Sequence, residues 1–80
     1  MSSDSKAVTK MVRGQIGRRL IDATQLIIQV SGGVVHFGGV LRPMRATGNT
    51  DMQQEMNSIS TILRQKPGIK EVVWDVTLRL

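Results

Sequence analysis

The sequence predicts a two-layer α+β domain of α-β-β-α-β order, with two helices on one face of a mixed three-stranded sheet. Three observations carry this reading. A helical apolar period opens the chain, a period-two stretch broken by a double glycine follows, and a second helical stripe ends in Pro-Gly before another alternating run. At 80 residues there is room for one small domain, which hides only about 60–65% of the surface its unfolded chain exposes. Every apolar position therefore counts toward the core.

Residues 1–6 are small and polar and read as a disordered N-terminal tail, leaving 7–80 as the single domain. From Ala7 to about Ala23, Val8, Val12, Ile16 and Leu20 recur every four positions, the spacing of one helix face. Ser5 or Asp4 is the candidate cap. Gly14 and Gly17 interrupt this helix on the side away from Val12, each costing up to about 1 kcal/mol relative to alanine. Met11 falls off the apolar stripe.

The period then changes. Leu26, Ile28 and Val30 alternate with Ile27 and Gln29, the pattern of a strand. Ser31-Gly32-Gly33 supplies the positive-φ residues of a tight hairpin turn. The returning strand runs from Val34 to about Leu41, and Gly38-Gly39 within it implies a bulge or a close backbone approach. Residues 42–50 form a loop by their Pro, Gly and Asn. Thr50 with Gln53 fits a capping box for a helix whose Met52, Met56, Ile59 and Leu63 share one stripe. Its outer face is Gln53, Asn57, Ser60 and Thr61. After Pro67-Gly68 a last strand, Ile69 to Leu80, alternates Val72, Trp74, Val76 and Leu78 against Val73, Asp75, Thr77 and Arg79. The helix between the second and third strands makes their pairing parallel.

Composition bounds function. Cysteine is absent, which excludes disulfides and thiolate metal sites, and the lone His36 removes any two-histidine metal motif. No apolar run reaches the roughly 18 residues of a membrane span, and the opening MSSDSKAVTK lacks the apolar core of a signal peptide. A cytoplasmic protein, with membrane contact only at its periphery, is the expectation. Eleven Lys and Arg against six Asp and Glu give a formal net charge of +5, a surface that attracts anions. With one Phe, one Trp and no Tyr, the stacking rings of a single-strand RNA binder are scarce.

The stretch Leu26-Ile-Ile-Gln-Val-Ser-Gly-Gly-Val-Val-His-Phe-Gly-Gly39 resembles the core signature of the BON domain family, with Gly33, Val35, Phe37 and Gly39 on the matching positions. Val12, Ile16 and Leu20 resemble the family's three apolar residues of the first helix, and Gly68-Ile69-Lys70-Glu71-Val72 its closing segment. The resemblance covers roughly residues 8–80. It implies the same α-β-β-α-β fold and a non-catalytic binding module for phospholipid surfaces or small charged ligands, and an anionic lipid surface or a protein complex is the expected partner here. Because the signature specifies the fold, it brings no ligand-binding residue with it.

Candidate anion-binding residues come from charge and position: Arg42 and Arg45 around Pro43-Met44, with Lys10, Arg13 and Arg18 on the first helix. A solvated surface cation is the commoner role for each. The open sheet face, carrying Ile27, Val34, His36, Val40 and Val73, is the candidate partner surface and a route to homo-oligomers. An alternative function is nucleic-acid binding, because Gly14-Gln15-Ile16-Gly17 followed by Arg18 and Arg19 is similar to the GxxG clamp of KH domains. Two tolerated helix glycines explain the same residues. No catalytic residue, cofactor or metal site is expected. His36 has no nucleophile partner legible in the sequence, and the carboxylates occupy ordinary cap, helix and strand positions.

Overall fold

The computed structural model describes the backbone of residues 2–44 and 51–79, with side chains from residue 6 onward. The elements in chain order are α1 (Ser2–Ile16), β1 (Ile21–Asp22), β2 (Leu26–Ser31), β3 (Val34–Pro43), α2 (Met52–Arg64) and β4 (Glu71–Leu78). The class is α+β, as its periodicities predict, but the order is α-β-β-β-α-β and the sheet has four strands.

Helix α1 begins at Ser2, so residues 2–6 extend the helix where a disordered tail was expected. It stops at Ile16, well short of Ala23. The amides of Gly17, Arg18 and Arg19 close back on the carbonyls of Arg13, Gln15 and Ile16, at 3.0, 3.2 and 3.0 Å. Past that turn the chain is extended, and side chains alternate with period two. Ile21 is therefore the buried residue, while Leu20, placed on the core stripe by its helical spacing, is 53% exposed. Met11 departs from expectation the other way and packs against the core.

The β2–β3 hairpin turns on Gly32 and Gly33, whose φ values of 58° and 82° suit the two-residue turn that follows the right-handed twist of the strands. Strand β4 pairs in parallel with β3 from Val34↔Glu71 to Leu41↔Leu78, after the crossover through α2. β1 and β2 both run antiparallel to β3. They line the same edge of it, because Val40 and Met44, an even number of residues apart, donate to Gln25 and Leu20. β1 and β2 are thus one strand interrupted at residues 23–25. From Leu26 back to Asp22 the chain takes four steps while β3 takes three from Gly39 to Arg42, so one residue bulges out. The Leu26 amide bonds the Ala23 carbonyl at 3.1 Å, and the Asp22 carboxylate accepts from the Thr24 amide and hydroxyl at 3.0 and 2.8 Å.

That kink explains Gly39. The Gln25 carbonyl projects into β3, where a Cβ on Gly39 would lie 2.4 Å from its oxygen, and Gly39 itself has φ +82°. Of the two alternatives for Gly38-Gly39, the close approach is at Gly39, and the bulge belongs to the facing strand.

The core lies between the sheet and both helices. Val12 and Ile16 of α1 and Met52, Met56, Ile59 and Leu63 of α2 pack on Leu26, Val35, Phe37, Leu41 and Val72, with Ile21 and Ile69 closing the ends. Phe37 and Trp74 stack at 4.1 Å between centroids, and the Trp74 Nε1–H donates to Ser60 Oγ at 2.7 Å. Ser60 thus turns toward the sheet rather than sitting on the outer face of α2. The cap of α2 is Asp51, whose Oδ1 accepts from the Gln54 amide at 3.1 Å. Thr50, the expected cap, lies outside the described residues.

Candidate functional site

On the sheet face away from the helices, β2, β3 and β4 align side chains in rows by their register. Ser31, Val34 and Glu71 form one row, Gln29, His36 and Val73 the next, and Ile27, Gly38 and Asp75 the third. The five residues expected on this surface, Ile27, Val34, His36, Val40 and Val73, therefore do share it. Ile27 stands out at 56% exposed, while the other four are half-buried among their neighbours.

The same face continues past β2 onto β1. Asp22 pairs with Arg42. The Met44 amide then bonds the Leu20 carbonyl at 3.3 Å, which carries the ladder one pair further. Leu20 and Met44, at 53% and 42% exposed, are thereby neighbours at the end of the sheet. Arg42 is anchored there, its Nη2 donating to Gln25 Oε1 at 3.2 Å. The Arg79 amide bonds Leu41 at 3.0 Å, which brings a second arginine alongside Arg42. Arg18 and Leu20 line one hollow with the ion-paired Arg19 and Glu55. The result is an apolar pair bordered by guanidinium groups, with the Glu55 carboxylate held by Arg19.

Asp22 lies at this end beside Thr24 and Arg42. The Thr24 amide, then the Thr24 hydroxyl, and more weakly the charge of Arg42, hold its pKa below the usual carboxylate value. Its negative charge and the Arg42 charge partly offset one another, leaving Arg18 and Arg79 as the cations at the rim that the Asp22 carboxylate does not neutralise.

Two of the expected anion-binding residues are elsewhere. Lys10 and Arg13 line the outward face of α1 together with Lys6 and Thr9. Since Val12 and Ile16 bury the inward face of that helix on the opposite side of the sheet, Lys10 and Arg13 do not join Arg42 in one patch. Arg45 lies outside the described residues. Arg19, part of the expected nucleic-acid clamp, is committed to an ion pair with Glu55 of α2, Nε to Oε1 at 2.9 Å, which fastens the α1–β1 turn to the second helix. Gly14 sits in the last turn of α1, where an added Cβ would have no neighbour within 4 Å, and Gly17 follows the helix end. With the amides of Gly17, Arg18 and Arg19 already bonded within the chain, a clamp at this segment would have to work through side chains.

Leu20 is the surface residue that periodicity missed, whereas Arg79, placed on the open face by its alternation, is not among the candidate cations that charge and position single out. A run Arg18-Arg19-Leu20-Ile21-Asp22, rich in charge around two adjacent large apolar residues, is the signal that one of the pair must face outward once the helix stops. Among the described residues, no three His, Asp or Glu side chains gather in a way that could hold a metal ion, and no helix is long and apolar enough to cross a membrane. No protein-family model, curated protein or solved structure matches the chain.

Proposed function

We propose that this chain is a non-catalytic, BON-like binding module that docks on an anionic lipid surface through the end of the sheet carrying Leu20 and Met44. The observation that carries the reading is this adjacent exposed pair bordered by Arg18, Arg42 and Arg79. Solvent-exposed large apolar side chains gain free energy by entering the acyl boundary, about 1 kcal/mol or more each at partial burial. The arginines add about 1 kcal/mol each near an anionic surface. Arg18 and Arg79, with Arg42 partly offset by Asp22, and two apolar side chains give reversible, salt-sensitive attachment.

The test is co-sedimentation with vesicles of phosphatidylglycerol and phosphatidylcholine, compared with pure phosphatidylcholine, at low and high salt. Binding confined to the anionic vesicles and weakened by salt is expected. Leu20→Ser with Met44→Ser should reduce it at both salt concentrations, whereas Arg42→Ala should reduce it mainly at low salt. Equal binding to both vesicles, or binding untouched by the double serine variant, would overturn the reading. A parallel amide-shift titration with a short single-stranded RNA tests the nucleic-acid alternative, because shifts at residues 13–19 with RNA alone would favour it.

A further inference from the structure

We infer that two copies of this chain associate through the outer edge of β4, in an antiparallel pairing about a two-fold axis at Thr77. Strand β4 bonds β3 along one side only, and among the described residues no backbone group meets its other side. The Arg79 amide donates to Leu41, so in this parallel ladder the odd-numbered residues of β4 face β3. The N–H and C=O groups of Val72, Trp74, Val76 and Leu78 consequently point out of the sheet, unpaired by it. Natural edges are protected by charged side chains, above all lysine, by proline or by a bulge. Glu71–Leu78 has no proline, lysine or bulge, its register with β3 is unbroken throughout, and its charges are the carboxylates of Glu71 and Asp75.

Charge selects the occupant and the register. With the axis at Thr77, Val76 of one copy exchanges backbone bonds with Leu78 of the second copy, both being residues whose polar groups face outward. On the open face, Asp75 then lies directly opposite Arg79 of the second copy, twice by symmetry, with Thr77 against Thr77 at the centre. Opposite-charge and Thr–Thr cross-strand pairs both favour pairing. Shifting the axis to Asp75 would set Glu71 opposite Arg79 but bring two carboxylates together at the centre. The charge-swapped double variant, Asp75→Arg with Arg79→Asp, separates the two registers, since in the shifted one it would oppose two arginines. On the helix side the pairing covers Leu78, 38% exposed in the single chain, with the half-buried Val76. A second copy fits because the strand is complementary to itself in charge, hydrogen bonding and apolar surface. This inference needs no lipid and goes beyond the docking role, although it engages Arg79, one of the cations at the docking rim.

Sedimentation velocity on the full chain over a concentration series, without lipid, tests it. A reversible monomer–dimer equilibrium is expected. Asp75→Arg alone and Arg79→Asp alone should each weaken association about tenfold or more, and the double variant should restore it. Val76→Pro should abolish association yet keep the circular dichroism spectrum, since the N–H it removes is not used in the single chain. A single monomeric species at every concentration overturns the proposal. So does a dimer indifferent to Val76→Pro, or a charge-swapped double variant no stronger than the singles.

Discussion

Two adjacent glycines of β3 should respond oppositely to the same substitution, and the contrast tests how the sheet is built. In Gly39→Ala the new methyl would meet the Gln25 carbonyl oxygen at 2.4 Å, on a backbone with φ +82°. The left-handed conformation alone costs a non-glycine residue about 1–2 kcal/mol. Relief of the clash requires Gln25 to retreat, and its carbonyl accepts the Val40 amide at 3.0 Å, so a bond worth about 1 kcal/mol is stretched or lost. The total is about 2–3 kcal/mol. For a chain of 80 residues the whole stability is about 4–12 kcal/mol. Gly38 has an ordinary φ, and the nearest atom to its added methyl is the Asp75 carbonyl oxygen at 3.9 Å. Alanine there should be neutral or stabilising by about 0.5 kcal/mol, because glycine in a strand costs conformational entropy. Urea unfolding followed by far-ultraviolet circular dichroism reads both. With a slope of about 1 kcal/mol/M, the Gly39→Ala midpoint should fall by about 2–3 M and the Gly38→Ala midpoint should move by no more than about 0.5 M. Superimposable curves, or Gly38→Ala as the weaker protein, would refute the kink at residues 23–25 as the reason for glycine at position 39.

Other perturbations separate local effects from the surfaces described above. Gly14→Ala should stabilise by about 1 kcal/mol and raise Tm by about 4–8 °C in a thermal melt, since nothing lies near the added methyl within α1. A fall in Tm would show that this position has a packing partner. Asp22 has a folded-state pKa held below its ordinary value, so its contribution to stability is present above that ordinary value and is lost as pH falls through the depressed one. Asp22→Asn should therefore flatten the acid limb of the stability profile, and a carboxyl-carbon titration by NMR should place the wild-type midpoint below the usual carboxylate range. A midpoint at or above that range would show that the Thr24 bonds do not stabilise the ionised carboxylate.

Legibility followed the length of each periodic run. The stripe Met52, Met56, Ile59 and Leu63 and the alternation of β2 and β3 each persist long enough for one period to dominate, and all four stripe residues are buried as expected. Residues 17–25 are different. Leu20 extends a helical spacing and Ile21 extends a strand, and only the bonds from Gly17, Arg18 and Arg19 back into α1 end the ambiguity. A strand of two residues, such as β1, has no period to detect and exists because Arg42 and Pro43 offer it an edge. The candidate site was partly visible for the same reason. Arg42 and Met44 were legible as a basic loop with an apolar tip, but Leu20 joined them only when the helix ended early.

The sequence by itself determined the α+β class, the hairpin with its double-glycine turn, the buried stripe of the second helix and the cationic surface. These depend on local periodicity, turn chemistry and charge, which act between near neighbours in the chain. The tertiary structure alone decided which residue of Leu20-Ile21 entered the core, why Gly39 must be glycine, that Trp74 reaches Ser60, and that Lys10 and Arg13 lie across the sheet from Arg42. Each of those outcomes turns on which strand edge or helix face meets a partner distant in the chain, where short-range preferences carry no information and packing chooses.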